Sequence, residues 1–145
     1  MMARRSHDLH HRVSFEETNL VGNVYFSNYF LWQGRCREMF LHQHAPQLLA
    51  QLSAAELRLV TAHASCDFSD EFRAFDAVCV RMTLNRYIPF GVSLDFAYGR
   101  QPEPEAELVV LARGRQDIKF LSRQGGDWVL SEVPAELMAV LQHYE

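Results

Sequence analysis

Asn23-Val24-Tyr25-Phe26-Ser27-Asn28-Tyr29-Phe30-Leu31-Trp32-Gln33-Gly34-Arg35-Cys36-Arg37-Glu38-Met39-Phe40 runs without a proline. Its apolar side chains recur at Tyr25, Tyr29, Trp32, Cys36, Met39 and Phe40, which is helical spacing. Asn23 reads as the N-cap, Arg35 and Glu38 keep one face wet, and Pro46 marks the stop. Gly34 inside such a helix costs about 1 kcal/mol against alanine, so a sheet or a partner helix is expected to pack close there. Tyr, Phe, Trp, Cys and Met over so much of the circumference suit a helix enclosed by a curled sheet better than one lying on a sheet's outer face.

The flanking sequence supplies that sheet. Leu9, His11, Val13 and Phe15 alternate with polar neighbours, which predicts a first strand over 9–17, and Thr18 to Asn23 forms a polar turn before the helix. Beyond Arg58 the period changes to two, predicting strands near 58–70, 76–87, 92–99, 106–123 and 128–133. Val78, Val80, Met82 and Leu84 mark one buried face, Val92, Leu94, Phe96 and Tyr98 another, and Tyr87 to Gly91 joins the two as a hairpin. Pro134-Ala135-Glu136-Leu137 opens a short C-terminal helix. The expectation is a single α+β domain over 1–145, an antiparallel β-sheet wrapped around a long central α-helix.

Composition narrows the function classes. The chain has 145 residues, 48% hydrophobic and 22% charged, enough for a core that needs neither disulfides nor a structural metal. A net charge of −4 gives no footprint for a polyanion, so nucleic acid is not an expected partner. No apolar run approaches the length of a membrane helix. Arg4-Arg5 is followed by Ser6-His7-Asp8 rather than an apolar segment, which argues against an export signal. Cys36, Cys66 and Cys79 form no C-x-x-C pair, as in a reduced cytoplasmic protein.

The run Phe15-Glu16-Glu17-Thr18-Asn19-Leu20-Val21-Gly22-Asn23-Val24-Tyr25, with Asn28-Tyr29 and Trp32-Gln33-Gly34-Arg35-Cys36-Arg37-Glu38-Met39-Phe40 behind it, resembles the enediyne polyketide synthase-associated thioesterases. These are hotdog-fold proteins of the 4-hydroxybenzoyl-CoA thioesterase-like superfamily. Two positions depart from the wider superfamily: Asn19 stands where its catalytic Asp would be, and Asn23 where a His follows the glycine. An amide is neither a nucleophile nor a base, so a covalent anhydride route at position 19 is excluded.

The resemblance implies hydrolysis of a linear polyene β-ketoacyl thioester from the phosphopantetheine of a polyketide synthase acyl carrier domain. The freed β-keto acid would lose CO₂ to give a methyl ketone, and no cofactor or metal is implied. It further implies catalytic roles for Asn19, Tyr29 and Arg37. Tyr29 would hydrogen-bond the β-carbonyl or water, and Arg37 would bind a developing enolate or carboxylate. The helix start is expected to hold the oxyanion through the Val24 and Tyr25 amides, with Gly22 allowing close approach of the thioester beside Asn23. Gln33 and Thr61 complete the expected substrate-binding set, and Tyr25, Tyr29, Gln33 and Arg37 share a helical stripe that would line a tunnel. Asn23 and Arg37 are about 21 Å apart along a continuous helix. Either the helix breaks after its first turn or a neighbouring subunit supplies Arg37. The interface is the favoured choice, in a homo-oligomer that is a dimer of dimers by family analogy.

Each residue also has a plainer reading. Asn19 is natural in a turn, Tyr29 as a core aromatic, and Arg37 near the negative end of a helix dipole. Glu17 shares the strand face of Phe15, as a solvated strand end or a rival general base. Thr is ordinary in strands, so Thr61 has a plain reading too. The histidines at 7, 10, 11, 42 and 44 lack ligands at metal-site spacing, Cys36 reads as a buried thiol, and Arg113-Gly114-Arg115 as a wet strand face. Two alternatives stay open: a non-catalytic acyl-chain binder, and a general acyl-CoA thioesterase.

Overall fold

The computed structural model describes residues 5–144. The N-terminal arginine at position 4, used above against an export signal, lies outside them. Strand β1 (His7–Arg12) leads through a 3₁₀ turn (Phe15–Glu17) and a loop to α1 (Ser27–His44) and α2 (Pro46–Ser53). Then come β2 (Leu57–Phe68), β3 (Ala77–Ile88), β4 (Gly91–Arg100), β5 (Val109–Gln124), β6 (Asp127–Ser131) and α3 (Ala135–Leu141). The sheet runs β1-β3-β4-β5-β2, antiparallel throughout, with β6 hairpinned onto β5.

The alternation read from the sequence gives the inner face. Val78, Val80, Met82 and Leu84 on β3, Val92, Leu94, Phe96 and Tyr98 on β4, and Ile118 and Phe120 on β5 are all buried. Against them α1 lays Tyr29, Trp32, Gln33, Cys36, Phe40 and Leu41. Leu48 of α2, with Leu137 and Leu141 of α3, closes one end. Near the start of β6, two guanidiniums approach the Trp128 ring, with Arg58 Cζ 4.3 Å and Arg123 Cζ 5.0 Å from its centre.

Three local expectations are corrected and a fourth is extended. The first strand ends at Arg12, because Ser14 and Glu17 close a capping box that turns Phe15–Glu17 into a 3₁₀ helix. The long helix starts at Ser27, not behind an Asn23 cap: Asn23 bridges to Arg73 and Val24 to Thr18, so 23–24 are extended. Pro46 follows the stop of α1 at His44, as expected, and also opens α2, at the position where a missing N–H costs nothing. Gly34 has open space around it, with nothing within 4 Å of where a Cβ would stand, so the close neighbour expected there is absent from this protomer. Close approach occurs instead at Gly91, where a Cβ would run into the Ile118 carbonyl across the β4–β5 pair.

Strand β2 is a twelve-residue edge. It pairs with β5 on one side and with no other strand among the described residues. Thr61, Ala64 and Phe68 pair with Ile118, Gln116 and Ala112 on the sheet's inner side and remain exposed.

Candidate functional site

The loop between the 3₁₀ turn and α1 is a closed local structure. Asn19 accepts from the Gly22 N–H at 2.9 Å, its own N–H donates to the Asn23 carbonyl at 2.9 Å, and its Oδ1 takes the Val21 N–H at 2.9 Å. Gly22 sits at φ +93°, a conformation that side chains rarely adopt. Asn19 is thus a turn residue. Its exposed side-chain Nδ2 is the group left over, a donor and not a base.

The Val24 and Tyr25 amides are not available to an oxyanion. Val24 N–H donates to the Phe72 carbonyl and Tyr25 N–H to the Glu17 carbonyl, each at 2.9 Å. Because the helix starts later than its sequence suggests, the open amides move with it. Asn28 and Tyr29 N–H bond back to Tyr25 and Phe26, and the Phe26 and Ser27 N–H groups are the ones without a partner among the described residues. They carry the positive end of the α1 dipole. Beside them, Asn23 Oδ1 is buried without a partner.

Tyr29 lies on the inner face of α1 among the rings of Trp32, Phe68, Phe72 and Tyr98. Burial pushes its phenol up to about 12, against the opposing effect of a hydrogen bond from the Phe72 backbone. It therefore stays protonated at neutral pH and keeps its O–H to donate. Residues 72–73 carry this contact and also pair with Asn23 and Val24, so they tie Tyr29 to the Asn19 turn.

Arg37 is elsewhere. Helix α1 is continuous, and Arg37 lies ten residues past its first residue, about 15 Å along the axis. The alternative of a helix broken after one turn is removed. Its Nη1 donates to Gln116 Oε1 at 2.8 Å and to Thr61 Oγ1 at 3.2 Å, Nη2 is 3.9 Å from Glu38, and Nε is buried without a partner among the described residues. Thr61 thus meets the arginine of its own chain. The side chain is 15% exposed, and burial pulls the guanidinium below its ordinary value.

The expected tunnel stripe does not hold within this protomer. Tyr25 precedes α1 and is half exposed, whereas Gln33 is 0% exposed and its amide is committed at both ends. Gln33 Nε2 donates to the Ser65 carbonyl, and Oε1 accepts from Gln116 Nε2. These residues face the sheet because the helix lies on it.

Two residues central to this arrangement were not singled out for it. Glu17 is no solvated strand end. Its carboxylate, 14% exposed, accepts from His11 Nε2 (2.7 Å), Trp32 Nε1 (2.8 Å), Ser14 N–H (2.9 Å) and Ser14 Oγ (3.1 Å). Burial pushes the carboxyl up, but the hydrogen bonds from Ser14, His11 and Trp32 win and hold it below the usual range, which makes it a poor base. The Ser14-x-x-Glu17 capping-box spacing was the available signal. Gln116 was also marked, by standing in phase with the inward Ile118 and Phe120.

Other clusters carry less. Asp8, His10 and Cys79 offer ligand atoms within 4.8 Å of one another. Asp8 is already held by both Arg81 nitrogens, and burial pushes the Cys79 thiol up to about 12. The Cys36 thiol is pushed up further by burial, consistent with an inert core residue. Arg113 and Arg115 line a groove of about 680 Å³ on the sheet face away from α1, where Arg115 pairs with Asp95.

No family model matches the chain, and no curated protein does. Among solved structures, the chain is 46% identical to the dynemicin thioesterase, a protein described with induced-fit and allosteric effects upon polyene binding. The match covers 97% of both chains, with a TM-score of 0.87. A 1,4-dihydroxy-2-naphthoyl-CoA thioesterase from Synechocystis shares 17% identity over 95% of this chain and 96% of its own, with a TM-score of 0.81. An Asp-to-Asn variant of 4-hydroxybenzoyl-CoA thioesterase, in complex with 4-hydroxybenzoyl-CoA, shares 16% over 94% and 99%, with a TM-score of 0.80. At those last two identities the likeness is one of fold.

Proposed function

Since the chain belongs to the family of the dynemicin thioesterase, within the hotdog-fold thioesterases, we propose that it hydrolyses a linear polyene β-ketoacyl thioester held on the phosphopantetheine of a polyketide synthase acyl carrier domain. The observation that carries this reading is Arg37: a largely buried guanidinium that touches neutral oxygens of Thr61 and Gln116 and keeps its Nε–H unpaired. Such a group is an anion holder in waiting, and a β-keto acid is the anion that this reaction releases.

Water attacks the thioester carbonyl without a protein carboxylate, because the β-carbonyl already withdraws electrons from it. The Phe26 and Ser27 amides, with Asn19 Nδ2, stabilise the oxyanion. Collapse breaks the C–S bond; the departing phosphopantetheine thiolate takes one proton of the attacking water, and the other passes to solvent as the product ionises to its carboxylate. Tyr29, protonated at working pH, donates to the β-carbonyl, and Arg37 holds the β-keto carboxylate. Loss of CO₂ from that carboxylate leaves an enolate, which takes a proton from water to become a methyl ketone. Gly22 and Asn23 shape the approach, with Asn23 Oδ1 accepting from water or the phosphopantetheine arm.

Arg37 and the Asn19 turn stand at different points along α1, so the complete site needs Arg37 from a second copy, most simply across the exposed β2 edge. A homo-oligomer, a dimer of dimers by family analogy, and a cytoplasmic location complete the proposal. No helix among the described residues is long and apolar enough to cross a membrane.

Mass spectrometry of products from a synthetic polyene β-ketoacyl thioester and from a saturated acyl-CoA tests the proposal. Release of the β-keto acid or methyl ketone by the native protein, lost in Arg37→Ala and Asn19→Ala, supports it. Binding without turnover overturns it in favour of an acyl-chain binder, and equal turnover of the saturated acyl-CoA in favour of a general thioesterase.

A further inference from the structure

Between α1 and β5 two glutamines lie in the core, Gln33 at 0% and Gln116 at 5% exposure. A buried side-chain amide has a direction, and here the backbone sets it. The Ser65 carbonyl can only accept, so Gln33 must turn its Nε2 toward it, at 3.0 Å. That leaves Gln33 Oε1 facing Gln116, which must answer with Nε2, at 3.3 Å. Gln116 is then obliged to present Oε1 on its other side, where Arg37 Nη1 donates at 2.8 Å. Gly114 makes the room: a Cβ there would run into Gln33 Nε2 and come within 2.8 Å of the Ser65 carbonyl. The relay therefore runs one way, from a fixed backbone carbonyl to the guanidinium.

We propose that Gln116, backed by Gln33, Gly114 and the Ser65 carbonyl, is the positioning residue that aims Arg37, and that its neutrality is what keeps the guanidinium charge available to an anion. An arginine fixed by a carboxylate would have its charge compensated at the point of contact. One fixed by an amide oxygen is held in place and keeps its charge at that contact, with only the largely exposed Glu38 carboxylate 3.9 Å from Nη2, and the orphaned Nε–H is the direction left for the ligand. This inference rests on the reading of Arg37 as the residue that holds the β-keto acid.

The test uses the full chain and the synthetic polyene β-ketoacyl thioester, comparing native protein, Arg37→Ala, Gln116→Met and Gln116→Glu, with the Arg37 Nε–H resonance followed by ¹⁵N NMR. Gln116→Met keeps the volume and removes the acceptor. The expected result is kcat lower by about 10²-fold, the size of effect that a displacement of about 1 Å produces, with KM within threefold and the Nε–H resonance broadened. Gln116→Glu, the variant to rely on should the methionine protein fail to fold, keeps an acceptor for Arg37 Nη1 and compensates the charge, while giving up the donation to Gln33 Oε1. It is expected to leave the resonance sharp while kcat falls as far. A purely structural glutamine would lower melting temperature and activity together and leave the two variants alike in the spectrum. Full kcat in Gln116→Met or in Gln116→Glu beside an inactive Arg37→Ala overturns the relay. Full activity in Arg37→Ala overturns the reading of Arg37 itself, and the relay with it.

Discussion

Replacing Glu17 by alanine should cost the fold far more than an ordinary surface carboxylate would. The side chain is 14% exposed and accepts four hydrogen bonds, two of them from Trp32 and His11. Trp32 is 1% exposed, so its indole N–H has no water to turn to. Hydrogen bonds to a charged group contribute about 1.5–3 kcal/mol each, and an orphaned buried donor costs about 1–3 kcal/mol. With the capping box at Ser14 worth about 1 kcal/mol more, Glu17→Ala should lose roughly 3–5 kcal/mol. At about 2.1 cal/mol/K per residue, 1 kcal/mol is about 3 °C in a chain of this length, so the melting temperature should drop by roughly 10–15 °C. Scanning calorimetry and urea titration measure both quantities. Acid adds a signature. The folded carboxyl sits below its ordinary value near 4.5, so its contribution is fully present above that value and drains away as pH falls through the folded one. Stability should fall more steeply with acid in the native protein than in Glu17→Gln. A Glu17→Ala protein within about 1 kcal/mol of native, or parallel acid profiles for native and Glu17→Gln, would refute the reasoning.

Gly91→Ala drives a methyl into the Ile118 carbonyl and should cost about 3 kcal/mol by prising β4 from β5, read by chemical denaturation. Gly34→Ala, with open space around it in α1, should instead stabilise by about 1 kcal/mol; a loss would mean that a second chain packs on that face. Gly22→Ala forces a side chain into φ +93° and should lower kcat by disturbing the Asn19 turn, while the far-UV circular dichroism stays native. Because burial pushes the thiols of Cys66 and Cys79 up to about 12 and that of Cys36 still higher, iodoacetamide at pH 8 should modify native protein slowly, and hydrolysis should be unaffected.

The sheet was largely written in the sequence, because strands such as 78–84 and 92–98 carry their alternation locally. The start of α1 was not. Asn23 reads as a helix cap with the helix following at once, but Asn23 and Val24 take extended backbone by pairing with Phe72 and Arg73, some fifty residues away. No local pattern records that partnership. The same displacement moved the open amides from Val24 and Tyr25 to Phe26 and Ser27. The motif placed Asn19, Tyr29 and Arg37 in one list, while the continuous helix sets them at two separate points. Gln116 was visible as a polar residue in an apolar phase, yet its meaning depends on the Ser65 carbonyl from another strand.

The chain carries two tryptophans, and the fold puts them in unrelated surroundings. Trp128 lies beside Arg58 and Arg123 on β6, and Trp32 is hydrogen-bonded to the Glu17 carboxylate beside the Asn19 turn. A Trp128→Phe protein would therefore emit from Trp32 alone. Any rearrangement of the loop would change the hydrogen bond on that indole and shift its emission, so the molecule carries an optical reporter of its own site that needs no added dye.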